Sequence, residues 1–171
     1  NKFLANIRES EAICQVIRAF KDPDVVHVDG AISPKDDIET INTELILADL
    51  ETLDKARVRI EKEVKGKKVE PAVLDTVDQA LEFLNAGKPL SISTIDLLPI
   101  KELGLLTAKP ILYVFNVDES VLSDVAKRKL LADLVAPAEA VFLDAKVESE
   151  LIDLSVEEAN ELLASLGQDE S

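Results

Sequence analysis

Asn116 and Glu119 stand three residues apart, just past the apolar run Ile111-Leu112-Tyr113-Val114-Phe115. An asparagine amide has two donors and an acceptor, so it can hold a neighbouring loop or meet a purine ring nitrogen. Open α/β sheets bind ligands outside the carboxyl ends of their strands, where such a run would deliver both residues. In the competing reading Asn116 only closes the turn, and Glu119 opens the next helix, where acids suit the positive end of the dipole. A second loop, Asp144-Ala145-Lys146-Val147-Glu148, follows another apolar run at 140–143. If the two strands are parallel, both loops rim one sheet edge. The backbone N–H of Val117 or Ala145 could then donate to a base acceptor, and the Lys146 stem could cover the ring's face.

Phosphate chemistry has no such support. The pattern G-x-x-x-x-G-K-[ST] is absent. Gly66-Lys67 has Glu61 at the first glycine position and Lys68 after it; Gly87-Lys88 has Glu82 and then Pro89. Only three other glycines remain among the five, and the visible acids assemble no convincing Mg²⁺ site. The chain alone should not hydrolyse a nucleotide. His27, the single histidine, reads as a loop or interface hydrogen-bonder rather than a proton-transfer group or metal ligand. Cys14, the single cysteine, excludes an internal disulfide. Its apolar neighbours favour a small buried hydrophobe over a redox role.

Elements that would position these loops follow from pattern. Residues 12–18 are a short apolar run consistent with a strand buried on both faces. A polar loop covers 21–31, and Ser33-Pro34-Lys35-Asp36 starts a helix, with Ser33 as cap. That helix continues to about Val64, with one apolar seam of Ile46, Leu50, Leu53, Ile60 and Val64 and a second of Ile38, Ile41, Leu45 and Ala48. Lys65-Gly66-Lys67-Lys68 breaks it. Pro71 opens another helix, where Leu74, Val77, Leu81 and Leu84 repeat the spacing until Gly87-Lys88-Pro89. Two seamed helices with a short turn make an antiparallel hairpin. Lys65, Lys67 and Lys68 at its tip are either a solvated turn or a partner-docking patch.

Beyond the hairpin, the pattern predicts a short helix at 95–103 interrupted by Pro99 and a strand at 111–115. A helix at 121–135, a strand at 140–143 and a helix at 155–166 follow, the last opened by a capping box from Ser155 to Glu158. Strands alternating with helices imply a parallel sheet with right-handed crossovers. At 171 residues, 47% of them apolar, the chain suffices for one domain with a helical insertion. Lysine and arginine number 19 against 34 acids, a net charge of −15, and only 4% of residues are aromatic. A sequence-specific DNA footprint is therefore unexpected. No stretch approaches the roughly 20 apolar residues of a membrane span, and no signal peptide is visible, so the expected location is the cytoplasm.

Taken as blocks, the chain resembles the YchF / Obg-like ATPase family of P-loop proteins, in its bacterial form. The blocks are Asn1-Lys2-Phe3-Leu4-Ala5-Asn6-Ile7-Arg8-Glu9 and Val26-His27-Val28-Asp29-Gly30, then Asp37-Ile38-Glu39-Thr40-Ile41-Asn42-Thr43-Glu44-Leu45 and Leu47-Ala48-Asp49-Leu50. Leu106-Thr107-Ala108-Lys109-Pro110 and Asn116-Val117-Asp118-Glu119 complete them. The resemblance implies a partial Ras-like P-loop NTPase sheet with an inserted coiled-coil hairpin, lacking the P-loop, both switch regions and the TGS domain. The corresponding division is 1–33 and 89–171 for the nucleotide domain and 34–88 for the hairpin.

The resemblance further implies a ribosome-associated hydrolase of ATP in preference to GTP, with Mg²⁺ held outside this chain. Relatives of the fold carry Asn-Lys-x-Asp, whose aspartate accepts from guanine. Here Val117 replaces the lysine and Glu119 the aspartate, so the expected base contacts are Asn116, Val117, Glu119, Ala145 and Lys146, with adenine favoured. Asp144 stands where the family has serine, which leaves its role open. The alternative function is a non-catalytic ribosome- or protein-docking module on a nucleotide-domain scaffold.

Overall fold

The computed structural model describes residues 7–20 and 33–152. It divides into two compact units, Asn1–Ile13 with Ile38–Ile111 and Cys14–Asp37 with Leu112–Ser171. The sequence expectations for the loop at 21–31 with His27, for most of the N-terminal helix, and for the helix at 155–166 lie outside the described residues.

Helix α1 (Pro34–Lys65) begins at the predicted cap, where Asp36 N–H donates to Ser33 Oγ at 3.3 Å. It ends in paired bonds from Lys68 N–H to Glu63 O and Lys67 N–H to Val64 O, both 2.9 Å. This is a Schellman ending, in which glycine usually takes the left-handed position. Lys67 takes it instead, at φ 56°. Helix α2 (Pro71–Asn85) then returns antiparallel, since Arg57 and Asp78 lie equally far from the turn and meet at 2.6 Å. Ile46, Leu53, Ala56 and Ile60 pack with Val77, Ala80 and Leu84 in one buried cluster, as the seam spacing requires.

The first unit closes with two 3₁₀ segments, Leu90–Ile92 and Leu98–Leu103, in place of the single helix expected at 95–103. Pro99 lacks the amide a regular helix needs, and Ile100 leaves helical geometry at φ −121°. Asp49 of α1 is wholly buried. Its Oδ1 accepts Leu106 N–H at 2.8 Å, and Oδ2 accepts the N–H and the hydroxyl of Thr107, both at 2.7 Å. Three donors replace the water that the carboxylate loses. Arg8 secures the same strap, donating to Gly104 O at 3.3 Å and Thr52 Oγ1 at 2.9 Å.

The sheet has three strands, β1 (Ile13–Arg18), β2 (Ile111–Asn116) and β3 (Glu139–Leu143), in the order β1-β2-β3. β2 and β3 are parallel, with Asn116 opposite Leu143. β1 also runs parallel to β2, because Ile13 N–H donates to Pro110 O (2.9 Å) and Ala19 N–H to Asn116 O (2.8 Å). All three carboxyl ends therefore share one edge. The expectation that β1 is buried on both faces is corrected: Cys14 is exposed and Val16 is 67% exposed, while Ile17 is buried. Successive side chains alternate between faces, and no described element covers the Cys14–Val16 side.

Two helix boundaries also differ from expectation. The helix predicted over 121–135 is broken into α3 (Glu119–Leu122) and α4 (Val125–Asp133). Asp124 restarts it by accepting Ala126 N–H at 3.0 Å and Lys127 N–H at 3.1 Å. The segment read as a loop at 144–148 opens helix α5 (Ala145–Ile152). Asp144 caps it, its Oδ1 accepting Lys146 N–H at 3.0 Å and Val147 N–H at 3.3 Å. No described helix is long and apolar enough to cross a membrane.

Candidate functional site

Where β2 and β3 end, two hydrogen bonds tie their outgoing loops together. Asn116 Oδ1 accepts Ala145 N–H at 3.1 Å, and Leu143 O accepts Val117 N–H at 2.9 Å. Below them the rings of Phe115 and Phe142 stack at 5.3 Å between centroids and 13° between planes. Phe115 is fully buried, so the stack fixes the floor of the rim. The parallel register accounts for this convergence, since it places Asn116 and Leu143 opposite each other at their strand ends.

The geometry divides the roles of the candidate residues. Because its partner is an N–H, the oxygen of the Asn116 amide must face Ala145, leaving the Nδ2 donors for another acceptor. A purine N7 is such an acceptor. The expectation that Val117 or Ala145 donates its N–H to a base is corrected, because both groups already serve the clasp. The Val117 side chain is 1% exposed and packs inward, so it cannot lie over a ring as a lysine stem would. Its carbonyl is the group its backbone has left to offer.

Glu119 is exposed at the first position of α3, and Lys146 is exposed in the first turn of α5. Asn116, Val117, Ala145 and Lys146 thus lie on the two loops that are tied together at the β2 and β3 ends, with Glu119 following on the first of them at the start of α3. Asp118, which the sequence reading passed over, caps α3: its carboxylate accepts Val121 N–H at 3.2 Å and the Ser120 hydroxyl at 2.6 Å. A side-chain cap two residues past a strand end was the available signal. Asp144 likewise has a defined task as the cap of α5.

Lys65, Lys67 and Lys68 sit in the other unit, at the hairpin turn. Lys65 is paired with Glu61 at 2.8 Å, while Lys67 and Lys68 are exposed.

No family model matches the chain. It is 40% identical to the ribosome-binding ATPase YchF of Bacillus subtilis over all of this chain and 49% of that protein. It is 38% identical to the protein of the same name from Escherichia coli O157:H7, over 99% of this chain and 48% of that one. Among solved structures, that of the Schizosaccharomyces pombe YchF GTPase superposes at a TM-score of 0.80 with 29% identity, covering 99% of this chain and 49% of the other. The chain spans about half the length of the curated relatives it matches.

Proposed function

Because the chain belongs to the YchF family, we propose that it forms the base-binding part and helical arm of a cytoplasmic, ribosome-associated ATPase that takes ATP in preference to GTP. The observation that carries the base preference is the state of the rim's two backbone amides. Guanine presents an acceptor, O6, beside N7, whereas adenine presents an amine there. With Val117 N–H held by Leu143 O and Ala145 N–H held by Asn116 Oδ1, neither amide is free for O6. Asn116 Nδ2 donates to N7, and the Val117 carbonyl accepts from the adenine amine. An unpaired O6 against that carbonyl would be penalised.

Hydrolysis is assigned to the full-length protein with Mg²⁺ accompanying the triphosphate. The present sequence has no G-x-x-x-x-G-K-[ST] loop, so the chain by itself is expected to be inactive. Equilibrium titration of the full-length protein with ATP and GTP tests the reading. Tighter binding of ATP is expected, and equal or GTP-favouring affinity would remove it.

A second role, docking of the arm on the ribosome, is favoured by Lys67. A lysine in left-handed geometry costs local stability where glycine would not. Backbone outliers of this kind are concentrated at functional positions. Lys65, Lys67 and Lys68 are the residues proposed to make that contact.

A further inference from the structure

Arg18 is the last residue of β1, on the same carboxyl edge as Asn116, and the neighbouring Ala19 N–H is bonded to Asn116 O at 2.8 Å. Its guanidinium carbon lies over the Phe20 ring, 4.9 Å from the centroid. Arg18 Nε and Nη2 are both excluded from solvent, and no acceptor among the described residues reaches either. These two nitrogens flank one edge of the guanidinium and form the fork that grips two oxygens of a phosphate. Buried donors of a charged group are rarely left unpaired, so a pair of them at a ligand-binding edge marks the place of an acceptor.

We propose that Arg18 binds a phosphate of the nucleotide whose base rests on Asn116. This rests on the base-site reading above and extends it to a residue one strand away, in the order β1-β2-β3. Adjacent strands lie about 4.8 Å apart, so a base held at the β2–β3 mouth can direct its sugar and first phosphate toward the β1 end. The ligand class is a nucleoside phosphate, because a nucleoside alone gives the fork no oxyanion.

The test compares adenosine, AMP and ATP binding to the full-length protein carrying Arg18, Arg18→Ala or Arg18→Lys. Arg18→Ala should weaken AMP and ATP by about tenfold or more, as loss of a charge-assisted fork implies, and leave adenosine within about twofold. Arg18→Lys keeps the charge without the fork and should fall between. Thermal melts of each variant separate folding from binding. If Arg18→Ala fails to fold, Arg18→Lys carries the comparison, and equal weakening of adenosine and AMP by it makes Arg18 a structural residue and overturns the proposal. Unchanged ATP affinity in a folded variant overturns it too, with the base site left standing. A wild-type protein that binds neither adenosine nor ATP removes both readings.

Discussion

Asn116 holds Ala145: its side-chain oxygen accepts the Ala145 N–H at 3.1 Å and so fixes which atoms of the amide face outward. One residue thereby builds the rim and donates from it. Its variants separate the two tasks. Asn116→Asp keeps the acceptor for Ala145 and exchanges the outward donors for an acceptor. It should fold normally yet lose ATP affinity by about tenfold or more, whereas Asn116→Ala should lose affinity and about 1 kcal/mol of stability as well. Binding of 7-deaza-ATP, which lacks the N7 acceptor, provides the check. It should bind wild type more weakly than ATP, and the Asn116→Ala protein should not distinguish the two.

The Asp49 clasp predicts a large effect far from the rim. Asp49→Ala leaves two backbone N–H groups and the Thr107 hydroxyl buried without their acceptor. The cost should be about 3 kcal/mol or more, read as a shift of the denaturation midpoint of the full-length protein. A change near zero would mean that the strap at Leu106–Thr107 re-forms its bonds elsewhere.

Asp124 gives a pH signature. The Lys127 N–H holds its carboxyl below the usual aspartate value; desolvation, the next-largest effect, opposes it, and the Ala126 N–H and the Lys127 ammonium add to the lowering. A folded value depressed below the unfolded one means that the stabilisation is present above the unfolded pKa and is lost as pH falls through the folded one. Acidification should therefore fray the start of α4. Asp124→Asn should abolish that dependence, as followed by amide exchange at Ala126 and Lys127. Identical acid profiles for the two proteins would refute the assignment.

Charge reversal of Lys65, Lys67 and Lys68 should weaken co-sedimentation of the full-length protein with ribosomes, and more so at low salt. Lys67→Gly offers a cleaner comparison. It relieves the left-handed geometry, so stability should hold or rise, while association falls. Association unchanged in both variants would leave the tip as an ordinary turn.

Much of this was legible because it depends on period. The seams of α1 and α2, the Ser33 cap, the parallel strands and the Asn116 strand end all follow from spacing. Long-range pairings were not. Nothing in the helix spacing marks Asp49, because its three donors come from a strap more than fifty residues later. Asp144 reads as a loop acid and Asp124 as an interior residue of the helix at 121–135, although each caps a helix by bonds within three residues. The amides of Val117 and Ala145 looked available because sequence does not say which backbone groups the tertiary clasp has already taken. Cys14 was misplaced for a related reason, since an apolar run does not tell which face of its strand will be covered.

If the rim reads the substituent beside N7 as a donor, inosine triphosphate is the ligand that decides it. It differs from ATP at that edge by an oxygen in place of the amine, and it lacks the guanine amino group. The full-length protein should bind inosine triphosphate about tenfold or more weaker than ATP, close to GTP, because both present O6 to a site without a free N–H. Affinity equal to that for ATP would contradict it.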